Sequence, residues 1–259
     1  MKRIVVLILT ALIFMSWFSS ISASAASYDI DFKLNSETVY LYNTDTGTEL
    51  YNHNADVKRY PASTTKIMTY IITVENIPDI KNTKVPIKYD LIHSLDGTGS
   101  SLSGLEGYID KQLTVYDLLC CLMVKSGNDA AVVLADFVSN GDQAAFAEMM
   151  NKKAKEIGCT STHYVNPHGL HDPEQYTTAI DLCKITEYAM AQPYFTEICS
   201  MSSYYLPDDD YPLVATNLLV DPGRGGEYYY EYATGIKTGY TDAAANCIVA
   251  SAEKDGVEL

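Results

Sequence analysis

The chain has 259 residues, with 33 Asp and Glu against 18 Lys and Arg, a formal net charge of -15 and 47% hydrophobic residues. Such acidity argues against nucleic-acid binding, which needs Lys and Arg clustered against phosphate. The length allows one sizeable core or two small ones.

In chain order, residues 1-25 read as a secretory signal peptide. Lys2 and Arg3 precede an apolar stretch from Ile4 to Phe18, and Ala23-Ser24-Ala25 supplies a small-residue cleavage site. Thr10, Ser16, Ser19 and Ser20 leave too short an apolar run for a comfortable membrane span, so cleavage and a secreted, extracytoplasmic location are expected. The first cysteine is Cys120, which does not support a lipid anchor. From Glu37 to Asn54 the pattern is strand, Asp45-Thr46-Gly47 turn, strand, as in a hairpin. Ser63 to about Gln192 reads as mostly helical. Within it Thr114 to Asp117 and Thr178 to Asp181 fit capping boxes, and a helix from Gln143 to Ile157 is closed by Gly158. After Gly235 the chain is strand-like again, with Asn246 to Ala252 rich in β-branched and small residues. Strands at both ends with helices between predict a mixed α/β fold in which an antiparallel sheet (36-62 and 234-259) carries an inserted all-helical region (63-200). Residues 26-259 would then form one catalytic domain.

Three short strings carry the chemistry: Ser63-Thr64-Thr65-Lys66, Ser126-Gly127-Asn128 and Lys237-Thr238-Gly239. In this order they form the S-x-x-K, S-x-N, K-T-G set of serine enzymes acting on penicillins or D-alanyl peptides. A serine hydroxyl is a weak nucleophile without an adjacent base, and three-residue spacing on a helix puts Lys66 one turn from Ser63 on the same face. Lys66 lies in a mostly apolar run, where a charged lysine is costly unless a partner or a lowered pKa relieves it. Ser126-Gly127-Asn128 separates two helical stretches, and it also fits a purely structural role with Gly127 as a helix C-cap and Asn128 opening the next helix.

With Tyr60-Pro61-Ala62 before the first string, Asp129-Ala130-Ala131 after the second, Asn166-Pro167-His168-Gly169-Leu170 between, and Gly235-Ile236 and Tyr240-Thr241 around the third, the chain resembles the D-alanyl-D-alanine carboxypeptidases, the low-molecular-mass penicillin-binding proteins. The resemblance runs from about Val39 to Leu259. It implies a β-lactamase/DD-peptidase-like fold and removal of the terminal D-alanine from peptidoglycan stem peptides, with β-lactams as inhibitors. It also implies roles at the site. Ser63 is the nucleophile, Lys66 the general base and Ser126 a proton relay; Asn128, Lys237, Thr238 and Gly239 bind substrate. The backbone N-H groups of Ser63 and Tyr240 form an oxyanion hole. Family members continue past the point corresponding to Leu259 into further strands, including an arginine that helps hold the substrate carboxylate, and usually a C-terminal β domain with a membrane-binding helix. The expectation is a catalytic domain truncated at its C-terminal end, with membrane association only through the missing part.

Two other functions fit the same strings. A β-lactamase would need a deacylating carboxylate, for which Glu174 is a weak candidate, and a penicillin-binding sensor or wall-binding module would acylate without turnover. No cofactor is expected. His168 and His171 lack an H-E-x-x-H pattern or a third ligand, so no metal is expected either. The six cysteines read as buried free thiols, Asp208-Asp209-Asp210 as a solvated loop, and Tyr228-Tyr229-Tyr230 with Tyr232 as an exposed loop or a cleft wall.

Overall fold

A computed structural model describes residues 34-259. The proposed signal peptide and its cleavage site lie outside the described residues. Helix α1 (Lys66-Asn76) is the axis of the helical part, with every residue from Lys66 to Val74 buried. A helix that is apolar nearly all round must be covered on all sides, and α3 (Val115-Met123), α4 (Asn128-Val138), α5 (Gln143-Ile157) and α6 (Ala179-Met190) surround it. The short α2 (Tyr89-His93) packs on α4, and α7 (Phe195-Cys199) packs on α3 and α6.

The hairpin is strand β1 (Val39-Asn43) paired antiparallel with β2 (Thr48-His53), and it packs on α6. Its turn is fastened by Asn43 Oδ1, which accepts from the Thr46 N-H at 2.8 Å. Two small antiparallel pairs sit within or beside the helical part: β3 (Lys84-Pro86) with β4 (Gln112-Thr114), and β5 (Ser203-Tyr204) with β6 (Leu213-Val214). Strands of two or three residues are too short to show a period of two in sequence. The main sheet is β7 (Ala233-Thr241), β8 (Ala245-Lys254) and β9 (Val257-Glu258), antiparallel in that order. The hairpin meets its far end, where Thr44 N-H donates to Glu258 O at 3.1 Å and Glu258 N-H to Asp45 Oδ2 at 2.7 Å.

Local chemistry explains most boundaries. Thr114 and Asp117 form the full reciprocal capping box of α3. Thr178 caps α6 through the Asp181 N-H, but the Asp181 carboxylate does not complete the box. It accepts instead from Thr160 N-H, Ser161 N-H and the Thr162 hydroxyl at 3.1, 2.7 and 2.9 Å, pinning the loop after α5 to α6. Gly158 closes α5 with φ +91°, which a side chain rarely adopts. All six cysteines are free thiols, four of them buried. Tyr228, Tyr229 and Tyr230 are exposed, which agrees with the loop-packing reading.

Candidate active site

Ser63 lies in a 3-10 turn (Ala62-Thr65) that leads directly into α1, and Lys66 is the first α-helical residue. The tighter turn suits the pairing. In a 3-10 turn residues three apart eclipse each other, and Lys66 Nζ stands 2.8 Å from Ser63 Oγ.

Lys66 is fully buried and has two further partners, Asn128 Oδ1 at 2.6 Å and the His168 carbonyl at 2.8 Å. Both of these atoms can only accept. A neutral amine has two N-H donors and one lone pair. Its donors would go to Asn128 and His168, leaving the lone pair facing the one partner able to donate, the Ser63 hydroxyl. Burial and the nearby Lys237 hold the Lys66 pKa well below its ordinary value, against a smaller opposing pull from Asp129.

The second string sits between α3 and α4. Here the structural expectation changes: α3 ends at Met123 with Val124 as its C-cap, Ser126 takes the left-handed conformation at φ +63°, and Gly127 is the N-cap of α4 at φ -62°. Glycine is needed at 127 for space. A Cβ there would stand 2.5 Å from Asp129 Oδ1 and 2.6 Å from Ser103 Oγ. Asp129, which the sequence reading gave no role, is buried and accepts from Ser103 N-H, the Ser103 hydroxyl and Leu105 N-H. Together with Asn128 N-H donating to Ser101 O at 2.8 Å, it ties the loop at 98-105 to the second string. The available signal was an acid directly after Ser-Gly-Asn.

Strand β7 is the edge of its sheet and packs against the Ser63 turn. A Cβ on Gly239 would lie 2.9 Å from Ser63 N, so a bare backbone is what lets the strand approach the serine. Lys237 is 1% exposed and donates to Thr238 O at 2.7 Å. The Thr238 hydroxyl donates to Thr216 Oγ1 at 2.8 Å, which adds a second hydroxyl that no sequence motif marked. Behind the turn, Gly169 at φ +92° presses on Ala62: a Cβ would fall 1.9 Å from Ala62 O. Asn166 shapes that loop, accepting from Gly169 N-H at 2.8 Å and donating to Leu170 O at 3.0 Å. His168 is spoken for within the same loop, since its Nδ1 accepts from Leu170 N-H. His171 packs edge-on against Tyr60, and among the described residues no group of three potential metal ligands occurs.

These elements enclose one cleft of ≈ 1300 Å³ lined by Ser63, Ser126, Asn128, Thr216, Thr238, Gly239 and Tyr240, with the loop at 98-101 and residues 169-171 opposite. Lys66 and Lys237 are buried and do not themselves line it. Glu174 is exposed and outside the lining; its backbone carbonyl accepts from His163 Nδ1.

Burial lowers the Lys237 pKa to about 7. Unfolded, a lysine keeps its ordinary value near 10.5, so between those two values the unfolded chain binds more protons and stability rises with pH. Thermal melts at pH 6 and pH 8 should therefore show a larger gain for the native chain than for Lys237→Met, which has no charge to bury. Equal gains would mean that Lys237 titrates as it does in water.

Residues 22-259 match the family model for D-alanyl-D-alanine carboxypeptidase. The chain belongs to this family. It is 33% identical over 223 residues to the D-alanyl-D-alanine carboxypeptidase DacF of Bacillus subtilis, covering 84% of this chain and 54% of that protein. Against DacA of Haemophilus influenzae it is 32% identical, covering 94% and 61%. The chain thus spans little more than half the length of these two relatives. Its backbone is similar to the crystal structure of the Streptomyces K15 DD-transpeptidase, with a TM-score of 0.78, 30% identity and coverage of 88% of this chain and 89% of that one.

Proposed function

We propose that this protein is a serine D-alanyl-D-alanine carboxypeptidase that acts outside the cytoplasm on peptidoglycan stem peptides and is acylated by β-lactams. The observation that carries the reading is Lys66: buried, unpaired with any acid among the described residues, and placed so that only the Ser63 hydroxyl can donate to it. Neutral Lys66 takes the hydroxyl proton as Ser63 Oγ attacks the carbonyl carbon of the penultimate D-alanine. The Ser63 and Tyr240 N-H groups hold the oxyanion, and Asn128 binds the substrate amide. The C-N bond breaks as the leaving nitrogen takes a proton from Lys66 by way of Ser126. Lys237 and Thr238, with Thr216 beside them, hold the departing carboxylate, and water then hydrolyses the Ser63 ester with Lys66 again as base.

A β-lactamase is the less favoured reading, because Glu174 lies outside the cleft. Incubation with benzylpenicillin followed by mass spectrometry of the digest should find the adduct on Ser63, with slow release. A D-alanine release assay on a D-alanyl-D-alanine peptide should be positive beside it. Rapid penicillin turnover would favour the β-lactamase, acylation without D-alanine release the sensor, and an adduct elsewhere would remove Ser63 as nucleophile.

A further inference from the structure

The cleft has two ends. Thr238 and Thr216 lie at one, Gly239 faces Ser63 in the middle, and Tyr240 to Asp242 form the wall at the other. On the carboxypeptidase reading, the leaving D-alanine lies toward Thr238, so the acyl half of the peptide runs along β7 toward Asp242. Among the described residues that line the cleft, Asp242 is the one carboxylate; His171, Tyr240 and Cys247 are the other titratable side chains in the lining. Asp242 is also held in place. It sits on the β7-β8 turn closed by Ala244 N-H donating to Thr241 O at 3.1 Å, and the Tyr240 hydroxyl donates to its Oδ1 at 3.1 Å. A single Tyr hydroxyl leaves most of the carboxylate's acceptor capacity open toward the cleft.

We propose that Asp242, oriented by Tyr240, is a specificity residue that recognises a side-chain ammonium on the residue preceding the two D-alanines. An extended peptide laid beside an edge strand advances roughly 3.3 Å per residue. Asp242 lies three residues past Gly239 along the strand. The residue before the penultimate D-alanine, carrying its amine on a flexible four-carbon stem such as that of lysine, reaches that far. A neutral or acylated side chain at the same place meets an unpaired carboxylate and gains nothing from it.

The inference rests on the carboxypeptidase reading, and two measurements separate their fates. The probes are Nα-acetyl-L-Lys-D-Ala-D-Ala and its Nα,Nε-diacetyl counterpart. D-alanine release from the diacetyl peptide by the unaltered chain tests the activity alone. Binding of both peptides to Ser63→Ala by calorimetry at low salt tests the subsite whether or not turnover occurs. The free-amine peptide should bind about three- to fivefold more tightly, the range expected of an ion pair open to water. The ratio should fall to about one in Ser63→Ala/Asp242→Asn and persist in part in Ser63→Ala/Asp242→Glu. Equal binding of the two peptides, or a preference unchanged by Asp242→Asn, overturns the proposal.

Discussion

Lys66→Ala should lower benzylpenicillin acylation by about a thousandfold with Ser63 still in place, within the range expected when a general base is removed. Lys66→Arg should be equally slow, and it is the more informative variant. A guanidinium keeps the charge and the donors to Asn128 Oδ1 and the His168 carbonyl, but it has no accessible lone pair for the Ser63 proton. Second-order acylation rates read by mass spectrometry, with a thermal melt to confirm folding, decide the point. Near-native acylation in Lys66→Arg would show that the cation, not the base, is what Ser63 needs. In the native chain the rate should climb with pH through the depressed Lys66 pKa, because only the neutral amine can accept.

Gly169→Ala should cost about 3-5 kcal/mol of stability and most of the activity, although residue 169 belongs to none of the three motif strings. The added methyl would fall 1.9 Å from the Ala62 carbonyl oxygen, and the backbone at φ +92° already disfavours any side chain. That oxygen, like the Ala62 carbonyl carbon at 2.4 Å, belongs to the backbone and is not the end of a flexible side chain that could move aside. Relief must come from displacing the Ala62-Ser63 peptide, and with it the serine hydroxyl, or from moving the His168 carbonyl off Lys66. Urea unfolding and acylation rate should therefore fall together. A stable, fully active variant would mean that the loop yields without disturbing the turn.

The candidate site was legible because its reactive groups lie close in sequence where they must be close in space. Ser63 and Lys66 are three apart, and Asn128 opens a helix that a glycine precedes. Thr216 and the His168 carbonyl were not legible. Thr216 reaches the site through a tertiary contact with Thr238, and a backbone carbonyl has no letter of its own in a sequence. Asp181 illustrates the same limit: its spacing from Thr178 is that of a capping box, yet its carboxylate is taken by Thr160, Ser161 and Thr162. The β3-β4 and β5-β6 pairs escaped notice because their strands are shorter than one readable period.

By itself the sequence determined the hairpin, the long helices with their caps, the family and the three strings, since each depends on periodicity, turn chemistry or residue identity over a few neighbours. Tertiary structure alone decided that Lys66 is buried without an ion-paired acid among the described residues, that Gly239 and Gly169 press on the Ser63 turn from different elements, and that Asp242 lines the same cleft as Ser63. Those facts depend on segments more than a hundred residues apart meeting in space. Desolvation, close backbone approach and electrostatic surroundings are set by what the fold brings together, and no local pattern encodes them.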